Sequence, residues 1–264
     1  MKLNFNSAIK LLIGLGILFW SKCQVDDQQL IIPDLPNAVH PGIYQGVNRN
    51  VLGTMVSTRV VFKEDNEPVS LAIVIPMELF KPMPSYKSTV YGNAGFQKFY
   101  IDLPKETIPS LLFDHVMMVY NPNGHVPGAF QFPQMNFSFY MKSRESAKNF
   151  NAQNLQDMST ELMPAGFIPI QAIPGWGEHW VRANSPVLQD CFILHDMVTG
   201  VIDRNLAFYN PMASIELIKN NPQVTARVPL PLKVNQPGYY PTTYSIKQAG
   251  TDLVVSLENM IYLK

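Results

Sequence analysis

From residue 42 onwards the chain is a succession of short apolar runs rich in Val, Ile, Phe and Tyr, broken at close intervals by Pro, Gly and Asn. That rhythm predicts an all-β domain, because β-branched and aromatic residues fit a pleated surface and the breakers mark turns. The expected strands are 54–62, 69–76, 96–103, 112–120, 132–142, 191–198, 206–209, 214–218, 242–247 and 253–262. Glu64-Asp65-Asn66 and Asp203-Arg204-Asn205 suit the turns of hairpins. One segment lacks strand alternation: residues 143–155 open on Ser143, a good helix cap, and predict one short helix. Twenty-two prolines exclude long uninterrupted helices, since each interior proline removes a backbone donor and clashes with the turn before it. The pattern therefore predicts a single, mainly antiparallel β domain over residues 42–264, sandwich- or barrel-like, with one short helix.

The pattern ahead of the domain is different. Residues 1–22 read as an export signal, with Lys2 and Lys10 ahead of or beside the apolar run from Leu11 to Trp20, which is short of the ~20 residues that span a bilayer. Residues 23–41, punctuated by Pro33, Pro36 and Pro41, read as an extended tether. Cys23 is a candidate for lipidation, which would hold the protein on the cell envelope. Lys22 before it departs from the small residue usual there, so cleavage to a soluble secreted form stays equally open. Any membrane attachment is expected only through a lipid at Cys23.

Charge narrows the partners. Removing residues 1–22 takes three lysines and no acid, leaving 17 basic against 20 acidic residues and a formal charge of −3. Nucleic acid, whose binding rests on basic surface, is excluded as an expected partner. The chain has two cysteines, so with Cys23 lipidated or removed Cys191 has no intramolecular partner and the core must carry stability.

Three histidines sit in polar, turn-rich settings: His115, His125 and His179. A catalytic zinc takes about three protein ligands and an open position for water. His125 and His179 with either His115 or Glu178 would meet that count, and where His115 completes it Glu178 could act as base. Neither the Cys-x-x-Cys pairing of structural zinc nor the His-Glu-x-x-His helix of a metalloprotease is present.

Five ordered motifs carry a resemblance: Asn121-Pro122-Asn123-Gly124-His125-Val126-Pro127, Pro133 to Tyr140, Gly177-Glu178-His179-Trp180, Asn210-Pro211-Met212 and Gly238-Tyr239-Tyr240-Pro241-Thr242. The series resembles a bacterial exported family of unknown function. Its members carry Asn-Pro-x-Gly-His-x-Pro, Pro-His-Phe-Asp-x-His-Phe-Tyr, Gly-x-His-Trp and Glu-Pro-Met. Where the resemblance implies His, Asp and His on one strand, this chain has Gln134, Asn136 and Ser138, and where it implies Glu before Pro-Met it has Asn210.

Positions 134, 136 and 138 alternate and so share a strand face. Amides and hydroxyls grip first-row metals poorly beside imidazole or carboxylate, and none of the four exchanges a proton near neutrality. No metal or other cofactor is therefore expected. The expected cavity comprises His115, His125, Gln134, Asn136, Ser138, His179, Trp180 and Asn210, with Phe139, Tyr140 and Trp176 as further lining. It would suit a neutral polar ligand such as a sugar or small metabolite.

Three readings follow. The first is a non-catalytic exported protein with a degenerate metal-type site, meeting a small molecule or an envelope component. The second gives the same groups a purely structural role, with the aromatics in the core and the amides meeting buried backbone. The third is a hydrolase dependent on zinc or another divalent metal, using His115, His125, His179 and Glu178. Self-association into a homo-oligomer stays open in each.

Overall fold

The computed structural model describes residues 39–85, 97–124, 132–151, 160–185, 188, 194–220 and 222–264. The expected signal, most of the expected tether, Cys23, His125 and Cys191 lie outside the described residues. Residues 36–264 form one compact unit.

The strands in chain order begin with β1 (Gly42–Gln45), β2 (Arg49–Val51), β3 (Thr54–Glu64) and β4 (Glu67–Pro76). The central group is β5 (Gln97–Asp102), β6 (His115–Asn121), β7 (Gln134–Tyr140), β8 (Phe167–Ile173), β9 (Gly177–Arg182), β10 (His195–Ile202) and β11 (Asn205–Ser214). The chain closes with β12 (Gln223–Arg227), β13 (Gly238–Ala249) and β14 (Asp252–Leu263).

Two antiparallel sheets face each other as a sandwich, and the described residues form no closed barrel. The first runs β1-β3-β4-β14-β13-β12, with β2 also on β3, and the second runs β5-β6-β7-β11-β10-β9-β8. Alternation decides what lies between them. Val56, Val60, Leu71, Ile73, Val255 and Leu257 of the first sheet meet Val116, Met118, Met135, Phe137, Phe139 and Tyr209 of the second in one continuous core.

Most strands expected from the apolar runs are present with small shifts at their ends. The one expected at 191–198 is observed as β10 (His195–Ile202), with residues 191–193 outside the described ones, and the one expected at 206–209 extends to Ser214. The two expected turns are tight hairpin connections. Asp203 and Arg204 both take positive φ, 50° and 62°, as a two-residue turn between twisted strands requires. The helix expected at Ser143 is α1 (Arg144–Asn149), whose Ser146 N–H donates to the Ser143 side chain at 3.2 Å.

One expected strand is corrected. Ser214 ends β11, and residues 215–218 are not a strand but part of a second helix, α2 (Ile215–Lys219), capped by Ser214, whose side chain accepts from Leu217 N–H at 3.1 Å. Its Ile215 and Ile218, three apart, bury one face in the core. Strands β1, β2, β8 and β12 escape the apolar-run reading because their exposed positions break the run, and β9 because Glu178, His179 and Arg182 interrupt it with polar side chains. Among the described residues no helix is long and apolar enough to cross a membrane.

Candidate functional site

The outer face of the second sheet carries the expected site. Gln134, Asn136, Ser138 and Tyr140 alternate along β7 away from the sandwich core, while Met135, Phe137 and Phe139 enter it. The register lines up one row across all seven strands: Asp102, His115, Tyr140, Phe208, Gly200, His179 and Gln171. Within it the His115 ring stacks on Tyr140 at 4.8 Å, Tyr140 leans on Phe208 at 4.8 Å, and Phe208 meets His179 at 5.3 Å.

Trp176 closes this face from above. It sits at the tip of the β8–β9 hairpin between Gly175 (φ 67°) and Gly177 (φ 137°), both in the region that favours glycine. Its indole Nε1–H donates to Ser138 Oγ at 3.2 Å, and its carbonyl accepts from Tyr140 O–H at 2.7 Å. The tip therefore reaches over β10 and β11 to the middle of the sheet. Burial pushes the Tyr140 phenol well above its ordinary pKa, so it remains a donor. The Gly175 N–H donates to the carbonyl of Phe150, tying the tip to the end of α1.

Beneath the tip, Asn210 Nδ2 donates to Asn136 Oδ1 at 3.2 Å. Asn136, Ile170, Gln171, Ile173, Trp176, His179, Val198, Asn210 and Met212 line a cavity of about 20 Å³. His179 Nδ1 lies 3.1 Å from the Gly177 carbonyl. A carbonyl only accepts, so Nδ1 carries a proton and donates to it.

The structure thus brings Asn136, Ser138, Asn210, His179 and Trp176 together. Gln134 lies on the same face, two residues along β7, opposite Ser214 and Asn121. It does not bring in three others. Trp180 and Phe139 point to the opposite face, because each follows a site residue directly and neighbours on a strand alternate. Trp180 packs with Met163, Phe167 and Val201, and Phe139 with the sandwich core.

His115 shares the row with His179 but stands on β6, four strands from β9, with Tyr140 and Phe208 between them. At about 4.8 Å per strand the two backbones stand roughly 19 Å apart, and the Tyr140 and Phe208 rings fill the space between the imidazoles, so the two cannot share one ion. The His115 Nδ1–H donates to the Asp114 carboxylate at 2.8 Å. Burial lowers the His115 pKa, outweighing the hydrogen bond and charge of Asp114, which raise it.

Glu178 alternates away from His179 and lines a separate, open cleft of about 580 Å³. Ser143, Glu145, Ser146 and Asn149 of the α1 segment form one wall, and Asp203 and Arg204 of the β10–β11 turn form another. The cleft is the feature that sequence reasoning missed. Its walls come from three separated segments, and only the fold joins them. Among the described residues no three His, Cys, Asp or Glu side chains are grouped to hold a metal ion. No family model, curated protein or solved structure matches the chain.

Proposed function

We propose that the chain is an exported, non-catalytic member of the family its motifs resemble, in which a former metal-type site has become a hydrogen-bonded part of the fold. One observation carries this reading: on the outer face of β7 the neutral residues are engaged with one another and with the hairpin. Asn136 pairs with Asn210, and Ser138 accepts from Trp176. An amide pair neither grips a first-row cation as carboxylates do nor shuttles protons at neutral pH.

A small neutral polar ligand such as a sugar does not fit a space of about 20 Å³. It suits the open cleft of about 580 Å³, within the range of ligand pockets, where hydroxyl, amide and carboxylate groups line the walls. Export through residues 1–22, with Cys23 as lipid carrier, belongs to the same proposal.

Metal analysis of protein purified without a polyhistidine tag is expected to find no stoichiometric zinc, manganese or iron. One ion per chain would sink the reading and favour the metal-dependent hydrolase. Titration with neutral mono- and disaccharides, followed by backbone amide NMR, is expected to move signals of Ser146, Asn149 and Glu178. Silence at those positions with every sugar removes the ligand from the proposal. Replacing Cys23→Ser is expected to release the protein from membranes, and unchanged attachment would refute the lipid anchor.

A further inference from the structure

We propose that the cavity beneath Trp176 is a binding site for one water molecule, held between Asn136 and Asn210. The amide pair uses one donor and one acceptor in its own bond. That leaves Asn136 Nδ2 and Asn210 Oδ1 without a partner among the described residues, on side chains only 3% and 1% exposed. Exchanging oxygen and nitrogen in both amides reverses the bond and again leaves one donor and one acceptor, so the demand does not depend on amide orientation. A buried polar group left unmet costs more than an ordinary hydrogen bond returns.

Size and chemistry select the occupant. A water needs roughly 10–15 Å³ of such space, and the cavity offers about 20 Å³. Water accepts from Asn136 and donates to Asn210 at once. A cation would face the Asn136 N–H₂, an anion would face the Asn210 oxygen, and an apolar occupant would satisfy neither. Ile170, Ile173, Val198 and Met212 make much of the remaining wall apolar, which directs the water to the amide pair. The site stands on this geometry alone and holds whether or not the open cleft binds a sugar.

A crystal structure of the wild-type protein tests it. One density peak is expected about 2.7–3.2 Å from both side-chain amides. An empty cavity, or a peak that touches one amide only, would overturn the proposal. A peak at about 2.0–2.2 Å from its ligands would mark a metal ion and overturn the proposed function as well.

Oxygen-17 relaxation dispersion supplies an independent reading. The double variant Asn136→Leu/Asn210→Leu replaces both amides by apolar groups of similar size. It is expected to hold one long-lived water fewer than the wild type, and an equal number in both would refute the site. The crystal result stands whether or not the double variant folds.

Discussion

Gly200 lacks a side chain because Phe208 occupies the space above it. A Cβ at Gly200 would stand 1.8 Å from Phe208 Cζ, and that ring is fully buried between Tyr140 and His179. The Gly200→Ala variant must push the ring off its rotamer, and overpacking of this kind costs roughly 1–3 kcal/mol. Urea denaturation should show that loss, and adding Phe208→Leu should recover part of it.

His115 supplies a pH prediction. Its folded pKa lies below the ordinary histidine value, so between the two the unfolded chain binds more protons and stability rises with pH. Stability should therefore fall as pH drops from about 6.5 towards the lowered value. His115→Phe, which keeps a ring against Tyr140, should flatten part of that slope in denaturation midpoints measured from pH 7 to pH 5. His195, also lowered by burial, would retain a share.

At this scale the alternation of Gln134, Asn136 and Ser138 was legible from spacing, since a strand has only two faces. The pairing of Asn136 with Asn210 was not, because 74 residues separate them and only the β7–β11 register joins them. Trp180 adjoins His179 in sequence, and on a strand that very adjacency sends it to the other face.

The elements show where pattern reading stops. Ile215, Leu217 and Ile218 look like a strand by composition, yet Ser214 supplies a cap and the spacing of Ile215 and Ile218 serves a helix equally well. In so short a segment, propensity yields to a satisfied N-terminus and a buried face. Ser214→Ala should cost about 1 kcal/mol, typical for a lost cap. Because α2 is packed into the sandwich core, that loss should register in global unfolding.

The β8–β9 hairpin depends on a side chain as much as on its ladder, since Trp176 anchors its tip to Ser138 and Tyr140. Truncation by Trp176→Ala should cost roughly 3–5 kcal/mol, the range for large aromatic deletions. Amide exchange at Gly175 and Gly177 should accelerate more than exchange in β13 and β14. Equal acceleration everywhere would mean that the tip opens only with the whole fold.

Across the molecule, the all-β class was legible because turn residues recur at strand-length intervals, and the division into two sheets was not. That division depends on β7 pairing with β11 and β4 with β14, contacts between residues 68 or more positions apart. The sheets share one continuous core, so their unfolding should be concerted.

Trp176 and Trp180 are the only tryptophans from residue 23 onwards, and both belong to the β8–β9 region, so their fluorescence reports the hairpin while far-UV circular dichroism reports all the strands. The tie from Trp176 to the middle of the second sheet should make the two transitions coincide in the wild type. Ser138→Ala removes the acceptor of the indole N–H and loosens that tie. In that variant the fluorescence midpoint should move to lower denaturant than the dichroism midpoint. A wild type in which the two already separate would show that the hairpin opens on its own and that the closed face over Asn136 is not held by Trp176.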